Sequence, residues 1–282
     1  MIIDTHLHIL DLDTLKYPWL ADVAPLNHNH LYADYASQAD AAGITATLHM
    51  EADVAPDLID AEIRNVEAVA RGANGRLTGM IAACRPEDDR FAAWLENIGE
   101  NSMIHGLRRP LHVVPDAVSQ DAKFRANLAL LGKAGLSFDL CVLARQLPLA
   151  IALVDALPDV TFVLDHCGVP DIAGNDFTPW AAHISDLAKR ANVVVKISGI
   201  QAYAGVTGPD AEILRPWFEH SIAAFGWDRA IWGSDWPVCN LGGDLAGWVA
   251  KTRTLLAGCS DDERNALLWK NAVRLWNLPV LE

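Results

Sequence analysis

The sequence predicts an α/β fold of the (β/α)8 type, in which eight strands, each followed by a helix, close into one barrel with an extra C-terminal helix. Three observations carry this. Apolar, β-branched runs alternate with longer segments of helical period from one end of the chain to the other, the rhythm of βα units around a parallel sheet. The 282 residues, 51% of them hydrophobic, suffice for one large core and match the usual length of such a barrel. The apolar runs also end in ionisable residues, as expected where strands deliver polar groups to one face.

The strands are expected at 2–8, 44–51, 77–83, 103–109, 136–142, 160–166, 192–198 and 229–235. Helical patterns lie between them at 34–42, 57–72, 87–98, 121–134, 145–157, 178–190, 210–225 and 244–257. Asp57 and Asp121 are placed to cap helix starts, and Asp210, after Gly208-Pro209, opens a run with Glu212 in its first turn. Ser260 is the expected N-cap of the extra helix, whose Leu267, Leu268, Ala272 and Leu275 recur at helical spacing through Leu278. That helix packs on the outside of the barrel or caps it. The connections at 9–33 and 167–179 are long, and they follow the first and sixth strands, on the face where βα loops build pockets. No linker, low-complexity tract or internal repeat divides residues 1–282, so the chain is read as one domain.

Acidic residues outnumber basic ones 36 to 22, giving a net charge of -14 with no basic run, which argues against nucleic acid or an anionic membrane as partner. Cys84, Cys141, Cys167, Cys239 and Cys259 are far apart and odd in number, the pattern of reduced thiols in a cytoplasmic protein. The N-terminus has no secretion signal and the chain no transmembrane run. A Gly-x-Gly-x-x-Gly turn, a P-loop and a Gly-x-Ser-x-Gly elbow are all missing, so dinucleotide, phosphate-loop and serine-nucleophile chemistry have no support.

Candidate site residues come from the strand ends. His6 and His8, spaced i, i+2, share one strand face, with Asp4 on the same face one step deeper, an arrangement suited to a metal ion or a polarised substrate oxygen. Asp235 ends the eighth strand, placed either as general base toward water or as a metal ligand. His49 and Glu51 end the second strand, Arg108 and Arg109 the fourth, Asp139 and Cys141 the fifth, Asp165 and His166 the sixth, Lys196 and Ser198 the seventh. By alternation one of Arg108 and Arg109 faces outward, and Asp165 has the parity opposite to His166. Lys196 either reaches a pocket or neutralises a carboxylate. Trp19 in the first long loop is either an apolar lid or ordinary packing, and Glu51 either a site residue or a solvated loop residue.

Taken together, Ile3-Asp4-Thr5-His6-Leu7-His8, Tyr17-Pro18-Trp19-Leu20, Gly106-Leu107-Arg108, Phe138-Asp139-Leu140, Arg145-Gln146-Leu147-Pro148, Leu164-Asp165-His166, Lys196-Ile197-Ser198-Gly199 and Gly233-Ser234-Asp235-Trp236-Pro237-Val238 resemble the amidohydrolase-related lactonases. These are the L-fuconolactonase, L-rhamnonolactonase and sulfomuconolactone hydrolase relatives within the amidohydrolase superfamily. The resemblance runs in order along essentially the whole chain. It implies a distorted (β/α)8 barrel, hydrolysis of a lactone ester, and a site at the C-terminal face. His6, His8, His166 and Asp235 match the family's first-strand His-x-His, sixth-strand histidine and eighth-strand aspartate. The bridging lysine or glutamate that dinuclear members carry on strand four has no equivalent in His105-Gly106-Leu107-Arg108-Arg109, and strand five has no histidine. The resemblance therefore implies one divalent metal, zinc first among candidates, or none.

The expected reaction opens a small lactone, of sugar aldonolactone or muconolactone type, with Asp235 deprotonating water and His166 assisting. His6, His8 and Asp235 are the expected metal ligands, while Arg108, Lys196, Glu51 and Trp19 are expected to contact substrate. A metal-dependent decarboxylase of the same superfamily and a lactone isomerase are the alternatives, with a non-catalytic binding protein behind them.

Overall fold

The structure, a computed structural model, describes residues 1–279. Eight parallel strands form one sheet in chain order: β1 Ile3–Leu7, β2 Ala46–Met50, β3 Leu77–Ala83, β4 Ile104–Pro110, β5 Ser137–Cys141, β6 Thr161–Leu164, β7 Val193–Ile197 and β8 Ala230–Trp232. Beyond β8 the circle is closed by backbone bonds to β1. The Asp235 N–H donates to His6 O and the His8 N–H to Trp236 O, each at 2.8 Å.

The principal helices follow the strands: α1 Tyr32–Ala42, α2 Ile59–Gly72, α3 Phe91–Ile98, the short α4 Ala117–Gln120, α5 Ala122–Ala134, α6 Leu147–Asp155, α7 Phe177–Leu187, α8 Ala211–Phe225 and α9 Leu245–Leu255. Asp121 caps α5 through the N–H groups of Lys123 and Phe124, and Gly135 ends it in the left-handed conformation. Asp57 does not cap α2, because it lies in a 3-10 turn over Pro56–Leu58 and the α-helix starts at Ile59.

Two apolar layers hold the barrel. Ile3, Ala46, Leu48, Met50, Ile81, Val163 and Ile231 pack with Ala272, Trp276 and Leu278 from the C-terminal segment. The Trp276 indole N–H donates to the hydroxyl of Ser137, the first residue of β5, so this segment plugs the strand-start end. Ser260 caps it through a capping box with Glu263, but the expected single helix is α10 Asp261–Asn265, a π-helical turn over Ala266–Lys270 and α11 Asn271–Trp276. The other layer packs helix residues such as Phe124, Leu128, Leu153, Ile184 and Leu214 against Leu107, Phe138, Phe162 and Val195 of the strands.

The expectation that Asp4 shares the face of His6 and His8 is corrected. Pairing between β1 and β2 shifts register between Asp4 and Leu7, and such an irregularity breaks simple alternation. Asp4 accepts hydrogen bonds from the Tyr35 hydroxyl of α1 (2.7 Å) and the Ser234 N–H (2.7 Å). It thus clamps the β1–β8 junction from the helix side.

Candidate active site

His6 and His8 end β1 inside the barrel mouth with Nε2 atoms 3.2 Å apart. His8 Nδ1 lies 3.0 Å from the Met50 carbonyl oxygen, which can only accept, so Nδ1 carries the proton and Nε2 presents its lone pair. Burial holds the His6 imidazole well below its ordinary pKa. Burial, with Arg108 nearby, lowers His8 to about 3. Both rings are neutral at physiological pH, the form that binds metal.

Asp235 meets them from the other side of the junction. It adopts φ +61°, a left-handed conformation open to Asp and Asn, and that turn aims the carboxylate inward past the end of β8. Asp235 Oδ1 is 3.6 Å from His6 Nε2 and 3.4 Å from His8 Nε2, whereas Oδ2 is buried and accepts no hydrogen bond. Burial pushes this carboxyl up to about 6, with His166 and Arg108 pulling the other way.

His166 and Cys167 also have positive φ, 52° and 55°. This turn removes the opposite parity expected for Asp165 and His166, and both reach the interior. His166 Nδ1 is 2.9 Å from Ser198 Oγ and 3.8 Å from Asp235 Oδ2. Among the described residues, two sets of three side chains have ligand atoms within 4.8 Å of one another: His6, His8 and Asp235, and His6, Asp165 and His166. His6 is common to both.

Beneath this level lies a chain of buried charges. Lys196 Nζ donates to Asp139 Oδ2 (2.5 Å) and pairs with Asp165 Oδ1 (2.9 Å), and Arg108 donates to Glu51 Oε1 through Nε (2.6 Å) and to Asp165 Oδ2 through Nη1 (3.3 Å). Burial opposes ionisation of Asp165, yet Lys196 and His6 hold its carboxyl well below the usual range. Lys196 and Glu51, expected to contact substrate, are both fully buried and neither lines the cavity above. A lysine inside an apolar strand is tolerable only when paired, and here two carboxylates pair it. Arg108 does reach the cavity wall, but Glu51 takes its Nε–H and, through the backbone oxygen, an Nη2–H (2.7 Å), so it is not a free carboxylate clamp. Arg109 faces away and bonds Glu87 (2.9 Å), and His49 turns to Glu62 of α2 (3.5 Å).

The cavity has a volume of about 320 Å³, the small end of ligand pockets. His8, His166, Asp235 and Arg108 form its polar floor. Trp19 lines it, with its indole N–H donated to Ala52 O (2.8 Å). Sequence reasoning missed Tyr203 and His112, which also line the cavity. Both lie in connections after strand ends, where no periodicity tells which side chains point inward.

Residues 3–278 match the family model described as Amidohydrolase, a span of nearly the whole chain. The chain belongs to the amidohydrolase family. This amidohydrolase is 29% identical to the L-fucono-1,5-lactonase of Burkholderia multivorans over 98% of the chain and 96% of that protein. It is 21% identical to the L-rhamnono-gamma-lactonase of Scheffersomyces stipitis, over 98% of each. Among solved structures, an amidohydrolase from Burkholderia multivorans with bound zinc superposes with a TM-score of 0.88 at 26% identity, covering 99% of this chain and 100% of that one. Among the described residues no helix is long and apolar enough to cross a membrane.

Proposed function

We propose that this amidohydrolase opens the ester ring of a small lactone by attack of water, with Asp235 as general base. The observation that carries the reading is the division of labour within one carboxylate. Oδ1 stands between two neutral imidazoles, while the buried Oδ2 has no partner and is free to take a proton. A base whose pKa is raised to about 6 is ionised at neutral pH yet basic enough to serve.

His6, His8 and Asp235 fit a divalent metal, because three buried donor atoms converge and the Met50 carbonyl orients one of them. Zinc is the ion in the similar Burkholderia multivorans structure. Bound there, the metal would polarise the carbonyl oxygen and acidify water. The chain's own groups do the rest. Asp235 Oδ2 accepts the proton as the water oxygen bonds to the carbonyl carbon. The ring C–O bond then breaks, and the protonated Asp235 returns that proton to the departing alkoxide. Arg108 and His166, both in the cavity floor, offer donors to the oxygen that gains charge. Arg108, Trp19 and Tyr203 position the ring against the floor.

The test is to incubate the purified protein with a panel of lactones, following acid release with a pH indicator and product mass. A hydrolase yields the hydroxy acid, a gain of one water, with a proton released at neutral pH. An isomerase changes neither mass nor acidity, and a decarboxylase acting on aromatic acids loses carbon dioxide; either result overturns the proposal.

A further inference from the structure

The cavity is polar only at its floor. Its walls are built from five of the surrounding connections by apolar side chains: Trp19 from the connection after β1, Val113 after β4, Leu143 after β5, Val169 after β6, and Val238 and Leu241 after β8. The polar groups among them are few and partly engaged. Trp19 gives its N–H to Ala52, Asp53 is paired with Arg85 (3.3 Å), and His112 Nδ1 faces Cys141 Sγ (3.3 Å). Among the described wall residues, the Tyr203 hydroxyl, His112 Nε2 and Asp53 Oδ2 are the few polar atoms left without a protein partner.

Val169 adds an independent observation. It has φ 44° and ψ 68°, a left-handed conformation that a β-branched residue adopts at a cost and that Asn or Gly would take readily. Such strain persists only where the surroundings or the function require the side chain. Here that side chain faces the cavity. At the rim, Val113 and Leu241 are 54% and 38% exposed, among the few large apolar side chains on the surface, so the apolar lining continues out to solvent.

We infer that the site selects a lactone whose ring bears an alkyl or aryl substituent, held by Trp19, Val113, Leu143, Val169, Val238 and Leu241, and rejects polyhydroxylated lactones. This rests on the lactone-hydrolase reading above. A sugar lactone would bury several hydroxyl groups against walls that are mostly apolar and offer few polar atoms in return, and each unmatched group loses its bonds to water. An alkyl chain sheds water at no such loss and gains with every methylene buried.

The test compares kcat/KM of the purified, zinc-supplemented protein on γ-butyrolactone, γ-octalactone and a polyhydroxylated hexono-1,4-lactone, with acid release as the readout. The octalactone is expected to exceed the unsubstituted ring by at least about tenfold, and the hexonolactone by roughly a hundredfold. A hexonolactone opened as fast as the octalactone overturns the inference and leaves the hydrolase reading standing. If none of the three is opened, the hydrolase reading falls and the inference with it. Val169→Asn suits the left-handed backbone, so its melting temperature is expected to hold or rise while the octalactone-to-hexonolactone ratio drops about tenfold. An unchanged ratio removes Val169 from the selecting wall.

Discussion

Gly199 lies so close to Asp235 that the two leave no room for a side chain. A Cβ at Gly199 would overlap Asp235 Oδ2 and come within 2.9 Å of His166 Nδ1. The glycine also has φ +67°, a conformation that L side chains rarely take. Gly199→Ala is therefore expected to lower kcat about a hundredfold, the usual result of displacing a reacting group by an ångström. Steady-state kinetics beside a thermal melt checks this; an alanine variant with full kcat would mean that the Asp235 carboxylate need not stand where it does.

Asp235→Asn should keep the fold and lose turnover. Asn accepts the left-handed backbone at position 235, and the change removes a buried charge, so stability should hold. Loss of a general base costs roughly 10²–10⁴-fold in rate. Retention of more than about a tenth of the wild-type rate takes the proton-accepting role away from Asp235.

Arg108→Met is expected to destabilise the protein more than it weakens substrate binding. The fully buried Glu51 loses the guanidinium 2.6 Å away, and breaking one side of a buried pair costs about 3–5 kcal/mol. Denaturant unfolding measures this directly. Adding Glu51→Gln should recover part of the loss, whereas a wild-type melting curve for Arg108→Met alone would refute the pairing argument.

Metal content should be at most one equivalent per chain. The two groups of candidate ligands share His6, and Lys196 Nζ stands 3.3 Å from His6 Nδ1, so a second cation on that side would meet an ammonium. Elemental analysis decides it, and His6→Ala should abolish binding. Two equivalents in an active preparation would show that both groups are filled.

Much of the fold was legible because it depends on local rules. The β-branched runs placed all eight strands in order, and Asp121 and Ser260 capped the helices they precede, since a side-chain oxygen two or three residues from unpaired N–H groups needs no distant information. His6, His8, His166 and Asp235 were legible as a group because parallel strands carry their C-terminal residues to a common face. Alternation failed where the backbone departs from it. The register shift after Asp4 and the left-handed turns at His166 and Asp235 re-aim side chains by amounts that a period of two cannot anticipate.

By itself, then, the sequence determined the barrel, its strand order and the ionisable residues that meet at its mouth, all consequences of hydrophobic periodicity and chain direction. Only the tertiary structure decided how those residues divide. Lys196, Glu51, Asp139 and Asp165 are consumed in pairs below the floor, while His8, His166, Asp235 and one edge of Arg108 face the cavity. The physical reason is that a buried charge must find a counter-charge within a few ångströms, and which carboxylate lies within that reach is set by strand register across the barrel. The apolar wall likewise comes from five separate connections, and their convergence is a property of the closed barrel that no single stretch of sequence contains.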